Sequence, residues 1–183
     1  MDKKIFKVDV AGFEANLPIL PVSPTLDIAF FNLHGNHKLT EHCGKKLAEH
    51  LAVCEVLITA ESKGLQLCHV IARELNHDFY AVARKTKKLY MQDGIEILIE
   101  ASITTGKEQH LYLSKHDVDL IKGKKVGIID DVVSTGASLK GLEDLVNLAG
   151  GIIHKKAFVL AEDAAADRTD VIYLAKIPVF PHN

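Results

Sequence analysis

The segment from Val126 to Ser138 constrains this chain more than any other. It reads Val-Gly-Ile-Ile, two adjacent aspartates, Val-Val, then Ser-Thr-Gly-Ala-Ser. Its apolar opening predicts a buried strand over residues 125–130. Small residues then predict a loop, and residues 136–149 read as a helix closed by Gly150 and Gly151. In an open α/β sheet, ligands collect at the carboxyl ends of the strands. Backbone N–H groups that open a helix there hold phosphate well. Two acids at the strand end, expected to be exposed to the cleft, suit ribose hydroxyls or a hydrated Mg²⁺. A capped strand–turn–helix would explain the acids alone, but not the whole ordered run.

The rest of the chain repeats the strand–helix rhythm. Leu39, Cys43, Leu47 and Leu51 recur every fourth residue and predict a helix over 38–53. Residues 55–60 read as a short apolar strand, 64–76 as a helix, and 79–83 as a strand after the turn Asn76-His77-Asp78. Residues 95–104 and 109–113 read as a hairpin around Thr105-Gly106-Lys107-Glu108. Ser114 with Asp117 marks a capped short helix to Ile121, and 152–160 and 171–174 read as late strands. The fold class is therefore α/β, with a mostly parallel central sheet flanked by helices and right-handed crossovers. Residues 1–37, with Pro18, Pro21 and Pro24, break the rhythm and are expected to form a separate cap rather than sheet core.

The chain has 183 residues, enough for one domain spanning 1–183 with a sizeable core. A formal net charge of -2 points to neither nucleic acid nor an acidic membrane surface as partner. No apolar run reaches membrane-spanning length, and Met-Asp-Lys-Lys does not lead into a signal-peptide core, so a cytoplasmic location is expected. The cysteines are Cys43, Cys54 and Cys68, an odd number without a C-x-x-C pair; they read as small buried hydrophobes, not as a disulfide or zinc framework. His34 and His37 flank Gly35-Asn36 and read as loop histidines.

The run from Val126 to Ser138 resembles the phosphoribosyl-pyrophosphate (PRPP) motif of the type I phosphoribosyltransferases: apolar residues, two acids, two more apolar residues, then a Ser/Thr-Thr-Gly-x-Ser/Thr loop. The resemblance covers about residues 25–180. It implies that Asp130 and Asp131 hold the ribose hydroxyls and act at the catalytic centre. The PRPP-binding stretch is then Asp130, Asp131, Val132, Val133, Ser134, Thr135, Gly136, Ala137 and Ser138, the last five wrapping the 5′-phosphate. Glu61, Ser62, Lys63 and Gly64 look like the pyrophosphate loop of the purine enzymes. Arg84, Lys85 and Lys88 resemble the Arg-Lys-x-x-Lys segment that adenine- and xanthine-type enzymes use for pyrophosphate, often across a dimer interface. Read alone, such a charge run is a solvated surface.

A small hood over about 85–107 is expected from the same likeness, to exclude water from the activated ribose. Here the chain departs from the adenine-type run: Glu100-Ala101-Ser102-Ile103-Thr104-Thr105-Gly106 keeps the glycine but not the aromatic residues or second acid, and Glu100 receives no role. Phe30-Phe31-Asn32 stands where adenine-type enzymes pack an aromatic on the purine, so Phe31 is expected to stack and Asn32 to hydrogen-bond the base, with a core role equally open to Phe30. Xanthine-type enzymes place a Glu-Lys pair after the late strand; this chain has Ala161-Glu162-Asp163. An acidic acceptor suits the exocyclic amine of adenine better than a carbonyl. The implied activity is purine phosphoribosyl transfer from PRPP in purine salvage, adenine favoured, with Mg²⁺ bound mainly through PRPP and pyrophosphate, no metal-ligating side-chain set, and a homodimer. The alternatives are a xanthine/hypoxanthine-type enzyme, an orotate enzyme, and a non-catalytic PRPP-sensing regulator, for whose DNA-binding domain the chain has no spare length.

Overall fold

A computed structural model describes residues 4–99 and 109–182. The chain opens with β1 (Ile5–Val10), β2 (Phe13–Ser23) and β3 (Leu26–Ala29). The sequence gives no strands to this segment, whereas the structure forms three in it, paired antiparallel. Lys7-Val8-Asp9-Val10 alternates with period two, and its apolar side chains pack inward. The prolines are tolerated because β2 changes neighbour along its length. Residues 13–18 pair with β1 and residues 19–23 with β3, and Pro21 lies at a bulge.

Next come α1 (His37–Leu51), β4 (Val56–Ala60), α2 (Leu65–Glu74) and β5 (Ala81–Ala83). The four-residue stripe of α1 is buried as expected, and the Asn36 side chain caps it by accepting from the Leu39 N–H. A 3₁₀ turn at Leu89–Met91 leads to β6 (Ile95–Ile99), which pairs antiparallel with β7 (Gln109–Leu113). α3 (Lys115–Ile121) begins with the expected capping box between Ser114 and Asp117. Then follow β8 (Lys125–Val133), α4 (Ala137–Leu148), β9 (Ile152–Glu162), a 3₁₀ turn Asp163–Asp167, β10 (Ile172–Ile177) and β11 (Val179–Pro181).

The central sheet is fully parallel, in the order β10-β9-β8-β4-β5. The cap is an antiparallel sheet, β1-β2-β3-β11, so the last strand returns to the first structural unit. One apolar layer joins the cap, α1 and α2 to one face; the other joins α3, α4 and the β6–β7 hairpin to the opposite face.

This order creates a switch point. From β4 the chain crosses by α2 to β5 at one edge; from β8 it crosses by α4, on the opposite face, toward β9 and the other edge. The crossovers diverge between β4 and β8, and there a crevice opens at the strand ends. β8 also runs beyond the expected end at Asp130: Val132 and Val133 pair with Leu160 and Ala161 of β9 after pairing with β4 has stopped at Ile129.

Cys43, Cys54 and Cys68 are buried and free. Burial pushes the Cys43 thiol up to about 12 and the Cys54 thiol up to about 11, consistent with packing rather than reactivity. Among the described residues no helix is long and apolar enough to cross a membrane.

Candidate active site

A cavity of about 740 Å³ occupies the crevice at the switch point. The acid pair forms its floor. The Asp131 N–H donates to Asp130 Oδ1 at 2.9 Å, and the Val132 N–H donates to Asp131 Oδ1 at 2.9 Å. The expectation that both acids lie exposed needs correction, because Asp131 is only 5% exposed. Its Oδ2 is buried and accepts no hydrogen bond, with Lys63 Nζ 3.8 Å away. Burial raises the Asp130 carboxyl to about 7, with the neighbouring Asp131 charge adding to the effect. Burial also raises Asp131, while Lys63 pulls it back.

The opening of α2 presses on this floor. A Cβ on Gly64 would lie 2.2 Å from Thr59 Oγ1 and 3.2 Å from Asp130 Oδ1, so only glycine permits the approach. Ser62 and Lys63, from the loop after β4, line the cavity, and Lys63 Nζ stands 5.6 Å from the Phe30 ring centroid. Glu61 is in the lining too, but its carboxylate is engaged. Its Oε2 forms an ion pair with Arg84, 2.7 Å from Nε, and its Oε1 accepts from the Lys85 N–H at 2.6 Å. Arg84 in turn exchanges backbone hydrogen bonds with Tyr112. Glu61 and Arg84 thus brace the basic segment against the hairpin, and Lys85 is left facing the cavity. Lys88 is partly exposed and lies outside the cavity lining.

Beside the crevice is a separate small pocket of about 90 Å³, lined by Val132 to Ser138 with Asp130, Leu139 and Phe158. Gly136 caps α4 in the left-handed region at φ +85°. Thr135 Oγ1 accepts from the Ala137 N–H at 3.4 Å, and Ser134 Oγ donates to Glu162 Oε1 at 2.8 Å. The first backbone N–H groups of α4 have no partner within the helix.

The base-side residues behave differently from one another. Phe31 is 3% exposed and packed in the core layer, though it borders the cavity; Phe30 is the more open ring. Asn32 is not brought to the cavity. It is exposed, accepts from the His34 N–H at 3.0 Å, and lines a second hollow of about 400 Å³ beside β2 and α1. The lining also holds Glu162, from the acidic run after the late strand, and residues to which the sequence gives no site role: Ile177, His110 and Tyr112. Period-two alternation in β7, with Leu111 and Leu113 buried, is the signal that sets His110 and Tyr112 on the other face. Residues 100–108, including Glu100 and most of the expected hood tip, lie outside the described residues.

No family model matches the chain. Individual relatives do. A xanthine phosphoribosyltransferase of an Exiguobacterium species is 31% identical over 148 residues, covering 76% of this chain and 75% of that protein. A Bacillus cereus xanthine phosphoribosyltransferase is 31% identical over 71% of this chain and 68% of its own length. The fold matches adenine phosphoribosyltransferase from Thermoanaerobacter pseudethanolicus with a TM-score of 0.70 at 23% identity, covering 87% of this chain and 95% of the other. The Trypanosoma brucei enzyme, in complex with AMP, pyrophosphate and ribose-5-phosphate, superimposes with a TM-score of 0.64 at 20% identity, covering 84% and 72%. With the acid pair, the small-residue loop and the parallel sheet in place, this protein belongs to the purine branch of the type I phosphoribosyltransferases.

Proposed function

We propose that this purine phosphoribosyltransferase acts on adenine in preference to 6-oxopurines. The observation that carries the choice is Glu162, a carboxylate at the end of β9 that faces the cavity where oxopurine recognition would call for a donor. The lysines of the lining, Lys63 and Lys85, come from the loops after β4 and β5. A carboxylate opposite a purine carbonyl leaves acceptor against acceptor, a mismatch that lowers affinity for 6-oxopurines relative to adenine. The xanthine reading has its own support in the 31% identical relatives. Competition kinetics with adenine, hypoxanthine, guanine and xanthine at equal concentration decide between them. A preference for any 6-oxopurine overturns the adenine choice and leaves phosphoribosyl transfer intact.

In this reading the ribose hydroxyls of PRPP donate to Asp130 and Asp131, and its 5′-phosphate enters the Ser134–Ser138 loop. Pyrophosphate lies against Ser62, Lys63 and Lys85. The bond from C1′ to pyrophosphate breaks with its electron pair leaving on pyrophosphate, and a purine ring nitrogen forms the new bond and releases its proton. The two carboxylates offset the positive charge that grows on the ribose, and the lysines offset the charge that gathers on the leaving group. Fixing both substrates in one crevice lowers the entropic part of the barrier.

The donor set suits Mg²⁺: hard carboxylate oxygens face the cavity, and the buried Asp131 Oδ2 has no hydrogen-bond donor on it. Bound mainly by PRPP and pyrophosphate oxygens, with Asp130 and Asp131 beside it, the ion would neutralise charge on the leaving group. Exposed Phe79, Leu89 and Tyr90 flank the basic segment and fit a homodimer contact. Lys88 is then assigned to the pyrophosphate of the neighbouring subunit. Buried free thiols fit the cytoplasm.

A further inference from the structure

Arg168 lies far from the phosphate loop in sequence, just after the 3₁₀ turn that leaves β9. In space it stands beside that loop, since a Cβ on Gly136 would lie 3.0 Å from its Nη1. The rest of the guanidinium is fixed. Nε donates to Asp170 Oδ1 at 2.9 Å and Nη2 to Asp170 Oδ2 at 2.7 Å. Asp170 is held in turn by Lys156, which also reaches Glu143 at 2.8 Å. Nη1 takes no part in this clamp. Among the described residues, no hydrogen bond joins Arg168 to the Ser134–Ser138 loop, so it does not serve as a strut for the loop backbone.

Asp170 offsets the guanidinium charge from one side, and Nη1 is the edge turned toward the loop. The opening of α4 carries the positive end of a helix dipole, and its first turn holds no acidic residue, so an anion there would be met by both. A phosphomonoester dianion in the loop would meet the α4 backbone donors on one side and Nη1 on the other. Gly136 serves this arrangement twice: it adopts the positive φ of the turn, and its missing side chain leaves room for the guanidinium edge.

We infer that Arg168 is a 5′-phosphate ligand of the ribosyl substrate, donating from Nη1 across the face of the loop that Gly136 leaves open, and that Asp170 is its positioning residue. This rests on the phosphoribosyl reading of the loop. Charge-assisted donation to phosphate is among the stronger hydrogen bonds, so Arg168→Gln should weaken binding of ribose 5-phosphate by about tenfold or more. Pyrophosphate, which binds at the other end of the cavity, should be unaffected. Asp170→Asn frees the guanidinium and should produce a smaller loss in the same direction, while Arg168→Lys, which keeps the charge, should retain more affinity than Arg168→Gln.

Calorimetric titration of the full chain with ribose 5-phosphate and, separately, with magnesium pyrophosphate tests this, repeated at pH 5 and pH 8. The phosphate becomes dianionic above about pH 6, so the loss in Arg168→Gln should be larger at pH 8. An equal loss at both pH values, or an equal loss for pyrophosphate, would mark a structural role and overturn the inference. Wild-type affinity for ribose 5-phosphate in Arg168→Gln would overturn it too, leaving the phosphoribosyl reading standing. If the wild-type protein binds neither ribose 5-phosphate nor PRPP, that reading itself fails.

Discussion

Asp130 and Asp131 are neighbours in sequence with unequal surroundings. Asp130 is partly open to the cavity, whereas Asp131 is buried with Lys63 as its counter-charge. The pair was visible in the sequence as a motif, but the burial was not, because it depends on α2 and the loop after β4 closing over β8. Two predictions belong here. The Asp130 carboxyl is raised to about 7, by burial first and by Asp131 second. A carboxyl whose folded pKa exceeds its unfolded value of about 3.9 favours the fold while protonated. That stability is complete below about pH 4 and is lost as pH rises through about 7. The ligand-free protein should therefore melt lower at pH 8 than at pH 5. Asp130→Asn should flatten the difference and stabilise the protein at pH 8 by roughly 1–3 kcal/mol; a wild-type slope in its melting curve would count against the coupling. The double variant Asp130→Asn/Asp131→Asn should stay folded and lose PRPP affinity by about 100-fold or more, since two charged acceptors are removed. Titration with PRPP that shows unchanged affinity would remove the acids from the ribose site.

At the scale of elements, strands and helices with a buried apolar period were legible: the α1 stripe, the β4 run, the capping box of α3 and the apolar opening of β8. What was not legible has two causes. β1–β2 and β2–β3 are local hairpins, but Pro18 and Pro21 in β2 hide their strand period. β11 is a short strand whose partner β3 lies about 150 residues away, so no window of sequence contains it. The extension of β8 to Val133 likewise depends on β9. The phosphate loop is the opposite case, since its geometry is local. Gly136→Val should weaken ribose 5-phosphate binding by about tenfold, because a β-branched residue at φ +85° carries a steric cost of roughly 1–2 kcal/mol and crowds Arg168 as well. Wild-type affinity in this variant would refute the loop assignment. Glu61 shows how an element changes a residue's part. A motif reading sets it on pyrophosphate, yet the approach of β5 to β4 turns its carboxylate onto Arg84 and the Lys85 N–H.

At the scale of the whole molecule, the most exposed large apolar side chains among the described residues lie beside the basic segment, at Phe79, Leu89 and Tyr90. Leu89 is 91% exposed and adjoins Tyr90 and the basic segment, so light scattering should give twice the chain mass. Leu89→Glu should shift the protein toward monomer without changing its far-ultraviolet circular dichroism. A wild-type monomer would exclude the homodimer. Lys88→Ala should lower kcat more than it raises KM for PRPP, if Lys88 meets pyrophosphate mainly as charge develops; a normal kcat would return it to solvated surface. By itself, the sequence determined the strand–helix alternation, the acid pair and the small-residue loop, because helix period, strand period and turn chemistry are properties of neighbours along the chain. Only the tertiary structure decided that β4 and β8 diverge to opposite faces, that Asp131 is buried, that Asn32 faces away from the cavity, and that Arg168 stands beside Gly136. Each of these depends on contacts between segments distant in sequence, where packing and charge select the partner.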